Sequence, residues 1–94
     1  MKKIIFVCTG NICRSPMAHH YAQKKLKELN KENDCLVDSC GTYASNGDSA
    51  TNNAILAMQE YNVDLSIHRA KNIEICDIEN YDIIIFVKFK RVKG

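Results

Sequence analysis

The segment KKIIFVCTGNICRSP, residues 2–16, joins an apolar run to a cysteine, a Gly/Asn turn, a second cysteine, an arginine and a Ser-Pro pair. The run from Ile4 to Val7 is β-branched and aromatic and ends at a turn, which is the pattern of a short buried strand. Pro16 suits the first position of a helix, behind a Ser15 cap. The segment therefore predicts a strand, a loop and a helix, with cysteines placed where the chain turns.

The rest of the chain continues this alternation of strands and helices. Apolar residues at helical spacing extend the first helix to about Asn30, and the run YDIIIF has the pattern of a strand that is buried on both faces. Strands that alternate with helices predict an α/β fold with a parallel sheet and right-handed crossovers. The further predicted elements are a strand at Cys35–Ser39, a surface loop at Gly41–Asn53, helices at Ala54–Asn62 and Ile73–Ile78, a strand at Tyr81–Phe86 and a frayed tail at Val87–Gly94.

Composition limits the classes of protein to which the chain can belong. Its 94 residues, 46% apolar and with a net charge of +2, are enough for one small domain over residues 1–94. We expect neither a nucleic-acid nor a membrane partner, because the charge is small and no apolar run is long enough to span a bilayer. An odd number of cysteines, five, fits free thiols in the cytoplasm better than a disulfide framework.

No metal site is predicted from the sequence. The cysteines lack the C-x-x-C spacing of a zinc site. His19 and His20 are neighbours, and neighbouring side chains are expected to point in different directions on a helix.

The loop between the first strand and the first helix is expected to bind an anion. Its backbone N–H groups converge at a helix N-terminus, and Gly10 permits the tight turn. Cys8 then lies at the bottom of the cradle, where the same field favours the thiolate. Arg14 can bind two phosphoryl oxygens in a bidentate manner, and the Ser15 hydroxyl can donate to the Cys8 sulfur.

The same residues resemble a known family. CTGNICRSP resembles the phosphate loop of the low-molecular-weight protein tyrosine phosphatases, whose signature is C-x5-R followed by Ser-Pro. VDSCGTYAS, NVDLSIHRA and YDIIIF also resemble later segments of that family. The resemblance implies a three-layer α/β/α architecture with a parallel sheet, the flavodoxin-like phosphotyrosine phosphatase I fold, and hydrolysis of phosphotyrosine in a phosphorylated protein without a cofactor, releasing inorganic phosphate.

The resemblance also implies roles for individual residues. Cys8 would be the nucleophile that forms a phosphocysteine, Arg14 would bind the transition state, and Ser15 would stabilise the thiolate. Cys13 would be the redox partner of Cys8, and Tyr43 would flank the substrate cleft. The implied phosphate loop is Thr9, Gly10, Asn11, Ile12, Cys13 and Arg14, and the implied supporting network is Asn11, Ser39 and His68.

The chain departs from the family in its later part. No aspartate is followed by proline, although the family uses an Asp-Pro loop to protonate the leaving group. We therefore expect a chain truncated before that loop, without the last strand and the C-terminal helix, and with impaired activity toward phenolic leaving groups. Strand Tyr81–Phe86 would then have an exposed edge through which the chain could self-associate.

Other functions remain open at this point. The loop GTYASNGDSAT resembles the bacterial arginine-phosphatase branch, but that branch has threonine where this chain has Ile12. Arsenate reductase shares the fold, but has glutamine in place of Pro16 and needs a close downstream cysteine pair, whereas Cys76 is alone. A non-catalytic phosphate-binding module is the third alternative.

Overall fold

A parallel sheet of three strands forms the centre of the protein. The computed structural model describes residues 1–87. Strand β1 is Lys2–Cys8, β2 is Cys35–Gly41 and β3 is Ile83–Phe86, and the order in the sheet is β2-β1-β3. Both neighbours run parallel to β1, which confirms the predicted α/β fold. Strands β1 and β2 pair along their whole length, from Lys2 with Cys35 to Cys8 with Gly41. Both are therefore longer than the predicted strands Ile4–Val7 and Cys35–Ser39.

Two α-helices follow β1 and β2. Helix α1 is Arg14–Glu28 and helix α2 is Asn52–Gln59. Thr51 caps α2, because its side chain accepts a hydrogen bond from the backbone N–H of Ala54. The predicted Ser15 cap of α1 is wrong: Cys13 occupies the N-cap position without a side-chain cap bond, and Ser15 lies inside the first turn.

One face of the sheet is covered by α1, against which α2 and the turn Leu65–Ile67 pack. Leu65 is fully buried in the cluster that joins these elements. Burial of such side chains is the main favourable contribution to folding. The cluster consists of Ala50, Ala54, Met58, Val63 and Leu65, with Cys13, Met17, Tyr21 and Ile55 packed against it.

The opposite face is covered by short turns in place of the predicted helix Ile73–Ile78. The segment forms the 3₁₀ turns Ile73–Ile75 and Ile78–Asn80. Asp77 lies between them with a φ of 44°, a left-handed conformation that cannot continue a helix. Buried Ile5, Val7, Cys40 and Cys76 form the core on this side, with Ile73, Ile78 and Tyr81 packed against them.

Strand β3 is exposed, although its apolar run has the pattern of a buried strand. All four side chains of Ile83–Phe86 are between 39% and 62% exposed. Among the described residues the strand pairs only with β1, so its second edge has no neighbouring strand there. Of the predicted frayed tail Val87–Gly94, Val87 continues the pairing with β1 by donating its backbone N–H to the Val7 carbonyl across 2.8 Å, and residues 88–94 lie outside the described residues. Over residues 1–87, no helix has both the length and the apolar character needed to cross a bilayer.

Candidate active site

The predicted phosphate loop lines one cavity at the carboxyl end of β1. The cavity has a volume of about 390 Å³. Ligands of open parallel sheets bind at this end of the strands, where loops connect strands to helices. The lining residues are Cys8, Thr9, Gly10, Asn11, Ile12, Cys13, Arg14 and Val87.

The sulfur of Cys8 lies between two hydrogen-bonding groups. The backbone N–H of Asn11 donates to Cys8 Sγ across 3.2 Å, and Ser15 Oγ lies 2.8 Å from the same sulfur. The side-chain amide of Asn11 donates to Ser15 Oγ across 2.9 Å, which leaves the hydroxyl hydrogen of Ser15 for the sulfur. Two donors on one sulfur stabilise a thiolate. The Ser15 hydroxyl serves Cys8 and therefore does not cap the helix.

Asn11 fixes the shape of the loop. It is fully buried and has a φ of 55°, a left-handed conformation that asparagine tolerates better than most residues. Its side-chain oxygen accepts from the backbone N–H of Lys71 across 2.9 Å, while its amide donates to Ser15. The left-handed residue of the loop is thus Asn11, and Gly10, predicted to permit the turn, has no positive φ.

Gly41 allows the loop to approach β2 closely. A Cβ atom at this position would lie 2.4 Å from the carbonyl oxygen of Thr9 and 2.9 Å from the backbone nitrogen of Asn11. Only glycine fits such a contact between two backbones. The sequence predicts Gly41 at the start of a surface loop but does not reveal this requirement, because the contact joins two distant segments.

The predicted supporting network is only partly present. His68 is buried, and its Nε2 lies 2.8 Å from the carbonyl oxygen of Asn11, so Nε2 carries the hydrogen. Ser39 does not bond to the loop in this arrangement: its hydroxyl lies 2.8 Å from Nδ1 of His19. The structure therefore brings Asn11 and His68 together. Ser39 bonds instead to His19, whose ring lies against those of His20 and His68.

The three histidines form a cluster beneath the loop. The rings of His19 and His20 stack with centroids 4.3 Å apart, and His20 Nε2 lies 3.0 Å from His68 Nδ1. The prediction that His19 and His20 point in different directions is wrong. Successive Cβ atoms diverge on a helix, but rotation about the side-chain bonds turns both rings toward His68.

Burial keeps the histidine cluster neutral. It lowers the pKa of His19 to about 3, with repulsion from His20 as the next cause. Burial also lowers the pKa of His20 and of His68. A neutral imidazole has one nitrogen that donates and one that accepts, which the bond between His20 and His68 requires.

Asp38 and Lys71 form an ion pair that the sequence does not predict. The ammonium of Lys71 bonds to the Asp38 carboxylate, and the Tyr81 hydroxyl donates to the same oxygen across 3.1 Å. Burial opposes ionisation of Asp38, but the bonds from Lys71 and from the Ser39 N–H give this carboxyl a net lowered pKa. The pair attaches Lys71, whose backbone N–H bonds to Asn11, to β2.

The remaining predicted residues lie around the cavity. Tyr43 is 83% exposed, and its backbone N–H donates to the Thr9 carbonyl across 2.9 Å, which joins its loop to the phosphate loop. Arg14 lines the cavity as the first residue of α1. Cys13 also lines it, and both Cys8 and Cys13 are free thiols. Their pairing in an oxidised state stays a prediction.

Known proteins resemble both the sequence and the fold. The low molecular weight protein-tyrosine-phosphatase Ptp of Acinetobacter johnsonii is 33% identical over 92 residues, which cover 98% of this chain and 61% of that protein. The chain spans little more than half the length of the curated relatives that it matches.

Two solved structures resemble the protein at similar levels. A low molecular weight protein tyrosine phosphatase from T. tengcongensis has a TM-score of 0.82 and 38% identity, covering 92% of this chain and 58% of its own. A YwlE arginine phosphatase, a cysteine-to-serine mutant with a phosphorylated active-site serine, has a TM-score of 0.81 and 32% identity, covering 89% and 53%. The model of the family "Low molecular weight phosphotyrosine protein phosphatase" matches residues 3–93, and the chain belongs to this family.

Proposed function

We propose that the protein is a hydrolase that removes the phosphoryl group from phosphotyrosine in a protein through a phosphocysteine at Cys8. The observation that carries this proposal is the position of Cys8 Sγ between the Asn11 N–H and the Ser15 hydroxyl, within the cavity of the phosphate loop. A cysteine whose sulfur receives two donors, one of them from the first turn of a helix, has the environment of a nucleophile.

The reaction proceeds in two displacements. The phosphoryl oxygens bind to the N–H groups of the loop from Thr9 to Arg14 and to the Arg14 guanidinium. The Cys8 thiolate attacks phosphorus as the bond to the phenolic oxygen breaks, and the phenolate takes a proton from solvent water. Water then attacks phosphorus, inorganic phosphate leaves, and the Cys8 thiolate returns with the Ser15 hydroxyl donating to it.

Leaving-group protonation limits the first step in this chain. Within residues 1–87, no carboxylate lines the cavity, and Asp82 accepts a hydrogen bond from the backbone N–H of Lys3, near the start of β1. General acid catalysis contributes about 10²- to 10⁴-fold. We propose that the loss is largest for phosphotyrosine, because its phenol needs the proton, and smallest for activated aryl phosphates.

Phosphoarginine is the second candidate substrate. It is favoured by the likeness to the YwlE arginine phosphatase, which has a TM-score of 0.81. Ile12 favours phosphotyrosine, because its apolar side chain lines the cavity and suits an aryl ring better than a guanidinium group. Tyr43 is exposed in the loop whose backbone bonds to Thr9, and we expect its ring to stack on an aryl phosphate.

We further propose that the protein works in the cytoplasm. Its five cysteines are free thiols, and a thiolate nucleophile keeps its reactive form in a reducing compartment.

The test compares three substrates on the purified chain: an activated aryl phosphate, a phosphotyrosine peptide and a phosphoarginine peptide. We expect hydrolysis of the aryl phosphate, slower hydrolysis of phosphotyrosine, and no activity in Cys8→Ser. Cys35→Ser is the matched control, since Cys35 lies on β2 away from the cavity lining. Faster hydrolysis of phosphoarginine would identify the second candidate, and phosphate binding without turnover would identify a binding module.

A further inference from the structure

A group of three imidazoles lies outside the cavity of the phosphate loop. The chain contains three histidines, and all of them belong to this group: His19 and His20 on α1, and His68 after the turn Leu65–Ile67. We propose that His19, His20 and His68 form a binding site for a divalent transition-metal ion of the Zn²⁺ class.

The spacing of the imidazole nitrogens fits one metal ion. Each ring offers a nitrogen, and the three lie within 4.8 Å of one another. His20 Nε2 and His68 Nδ1 are 3.0 Å apart. Zinc–nitrogen bonds of about 2.0–2.1 Å in a tetrahedral site place neighbouring ligand nitrogens roughly 3.4 Å apart. Small movements of the side chains are therefore enough to bring all three nitrogens to one ion.

The hydrogen bonds of the outer nitrogens orient two of the rings. His68 donates from Nε2 to the carbonyl of Asn11, which leaves the lone pair of Nδ1 directed toward His20. His19 uses Nδ1 to bond to the Ser39 hydroxyl, which leaves Nε2 as its ligand atom. Metal-binding histidines characteristically hold their second nitrogen in this way, on a carbonyl or another polar group.

His20 changes its tautomer when the ion binds. Without metal, its Nε2–H donates to His68 Nδ1, because His68 carries its hydrogen on Nε2. The ion replaces that shared hydrogen, so Nε2 becomes a ligand and the proton of the neutral ring moves through solvent to Nδ1. No charge is lost or gained on the protein.

The cluster is accessible to an ion from one side. His20 is half-buried, which leaves a path for the ion and a position for a water as fourth ligand. The charges around the cluster are mixed: Asp38 and Asp64 favour positive charge at His20, whereas Lys71 opposes it at His19 and His68.

Ring nitrogen spectra during a Zn²⁺ titration of the ¹⁵N-labelled chain test the proposal directly. Because the chain has three histidines and all are in the cluster, every imidazole signal reports on the proposed site. We expect all three rings to shift together and to saturate at one ion per chain. His20→Ala should weaken binding by more than the roughly 10- to 100-fold that loss of an outer-shell partner causes.

Two controls separate the site from the thiols and from misfolding. The double variant Cys8→Ser with Cys13→Ser should bind Zn²⁺ as the wild type does. The same is expected of Lys27→Ala, which changes an exposed residue of α1. His20→Gln is a second variant without the His20 imidazole, and circular dichroism checks that each variant is folded. Zinc binding that leaves the imidazole signals unmoved, or that disappears with the two thiols and survives loss of His20, would overturn the proposal.

Discussion

His68 donates the hydrogen of its Nε2 to the backbone carbonyl of Asn11 across 2.8 Å, although the two residues are 57 positions apart. Asn11 is also the residue that touches both Ser15 and, through its backbone N–H, the Cys8 sulfur. The bond therefore connects the segment after α2 to the reactive end of β1. The shape of the phosphate loop depends on this distant segment as well as on its own sequence.

Substitution of Asn11 should separate side-chain bonding from backbone strain. Asn11→Gly keeps the left-handed conformation but loses the bonds to Ser15 and Lys71, at about 1–3 kcal/mol of unfolding free energy. Asn11→Ala loses the same bonds and adds about 1–2 kcal/mol, because alanine is disfavoured at a φ of 55°. Urea unfolding measures both values. Equal stability of the alanine and glycine variants would contradict the strain argument.

The cysteines should differ sharply in their reaction with iodoacetate at about pH 6. We expect selective alkylation of Cys8, because its sulfur receives two donors, while Cys40 stays unreacted because burial raises its pKa to about 12. Inorganic phosphate should protect Cys8 by filling the loop. In Arg14→Lys this protection should require much more phosphate, because an ammonium cannot replace the bidentate guanidinium.

Peptide mass spectrometry measures the alkylation site, with Cys35→Ser as the control for a cysteine outside the cavity lining. Equal labelling of all cysteines would contradict the special environment of Cys8. Unchanged protection in Arg14→Lys would show that the arginine does not hold the anion.

The histidine cluster should make the protein less stable in mild acid. The pKa of His19 falls from 6.5 to about 3 on folding, so the unfolded chain binds the proton more readily. The contribution of neutral His19 to the free energy of unfolding is fully present above pH 6.5 and is lost as the pH falls toward 3. The decline is about 1.4 kcal/mol per pH unit for this group. His20 and His68 add to the decline, because burial lowers the pKa of each.

Urea unfolding between about pH 7.5 and pH 5 isolates the histidines from the carboxyl groups. His20→Gln removes one of the titrating rings and should reduce the slope. A free energy of unfolding that stays constant or increases as the pH falls from about 7.5 to 5 would mean that the rings are protonated in the folded protein.

Strand β3 should allow the chain to self-associate. Its side chains are at least 39% exposed, and among the described residues one edge lacks a neighbouring strand. Exposed apolar edge strands pair with other chains. Sedimentation over about a hundredfold dilution should reveal concentration-dependent association. Ile84→Lys should weaken it, because a charge on an edge strand opposes pairing. A monomer at every concentration would contradict this prediction.

The contact between Cys8 and Ser15 in the phosphate loop was predictable because it is local. Cys8 and Ser15 are separated by seven positions, and a strand followed directly by a helix places them together. The requirement for Gly41 and the ion pair of Asp38 with Lys71 depend on segments that meet only in the folded chain. An apolar run likewise predicts that β3 is a strand, but not how many neighbours it has.

The stacking of His19 on His20 was missed for a related reason. Helix geometry fixes where side chains start, whereas the rotation of each ring depends on what surrounds it. Here the surroundings are His68 and Ser39, which come from other elements of the fold.

Formation of a phosphocysteine at Cys8 is the central claim, and rapid quenching after mixing with an activated aryl phosphate tests it most directly. The first displacement needs little acid catalysis with this substrate, while hydrolysis of the intermediate lacks a general base among the described cavity residues. The intermediate should therefore accumulate, with a burst of about one phenol per chain. Mass spectrometry should find the phosphoryl group on Cys8, and Cys8→Ser should give no burst of phenol. Phenol release that is unchanged in Cys8→Ser, or a phosphoryl group on another residue, would contradict the account.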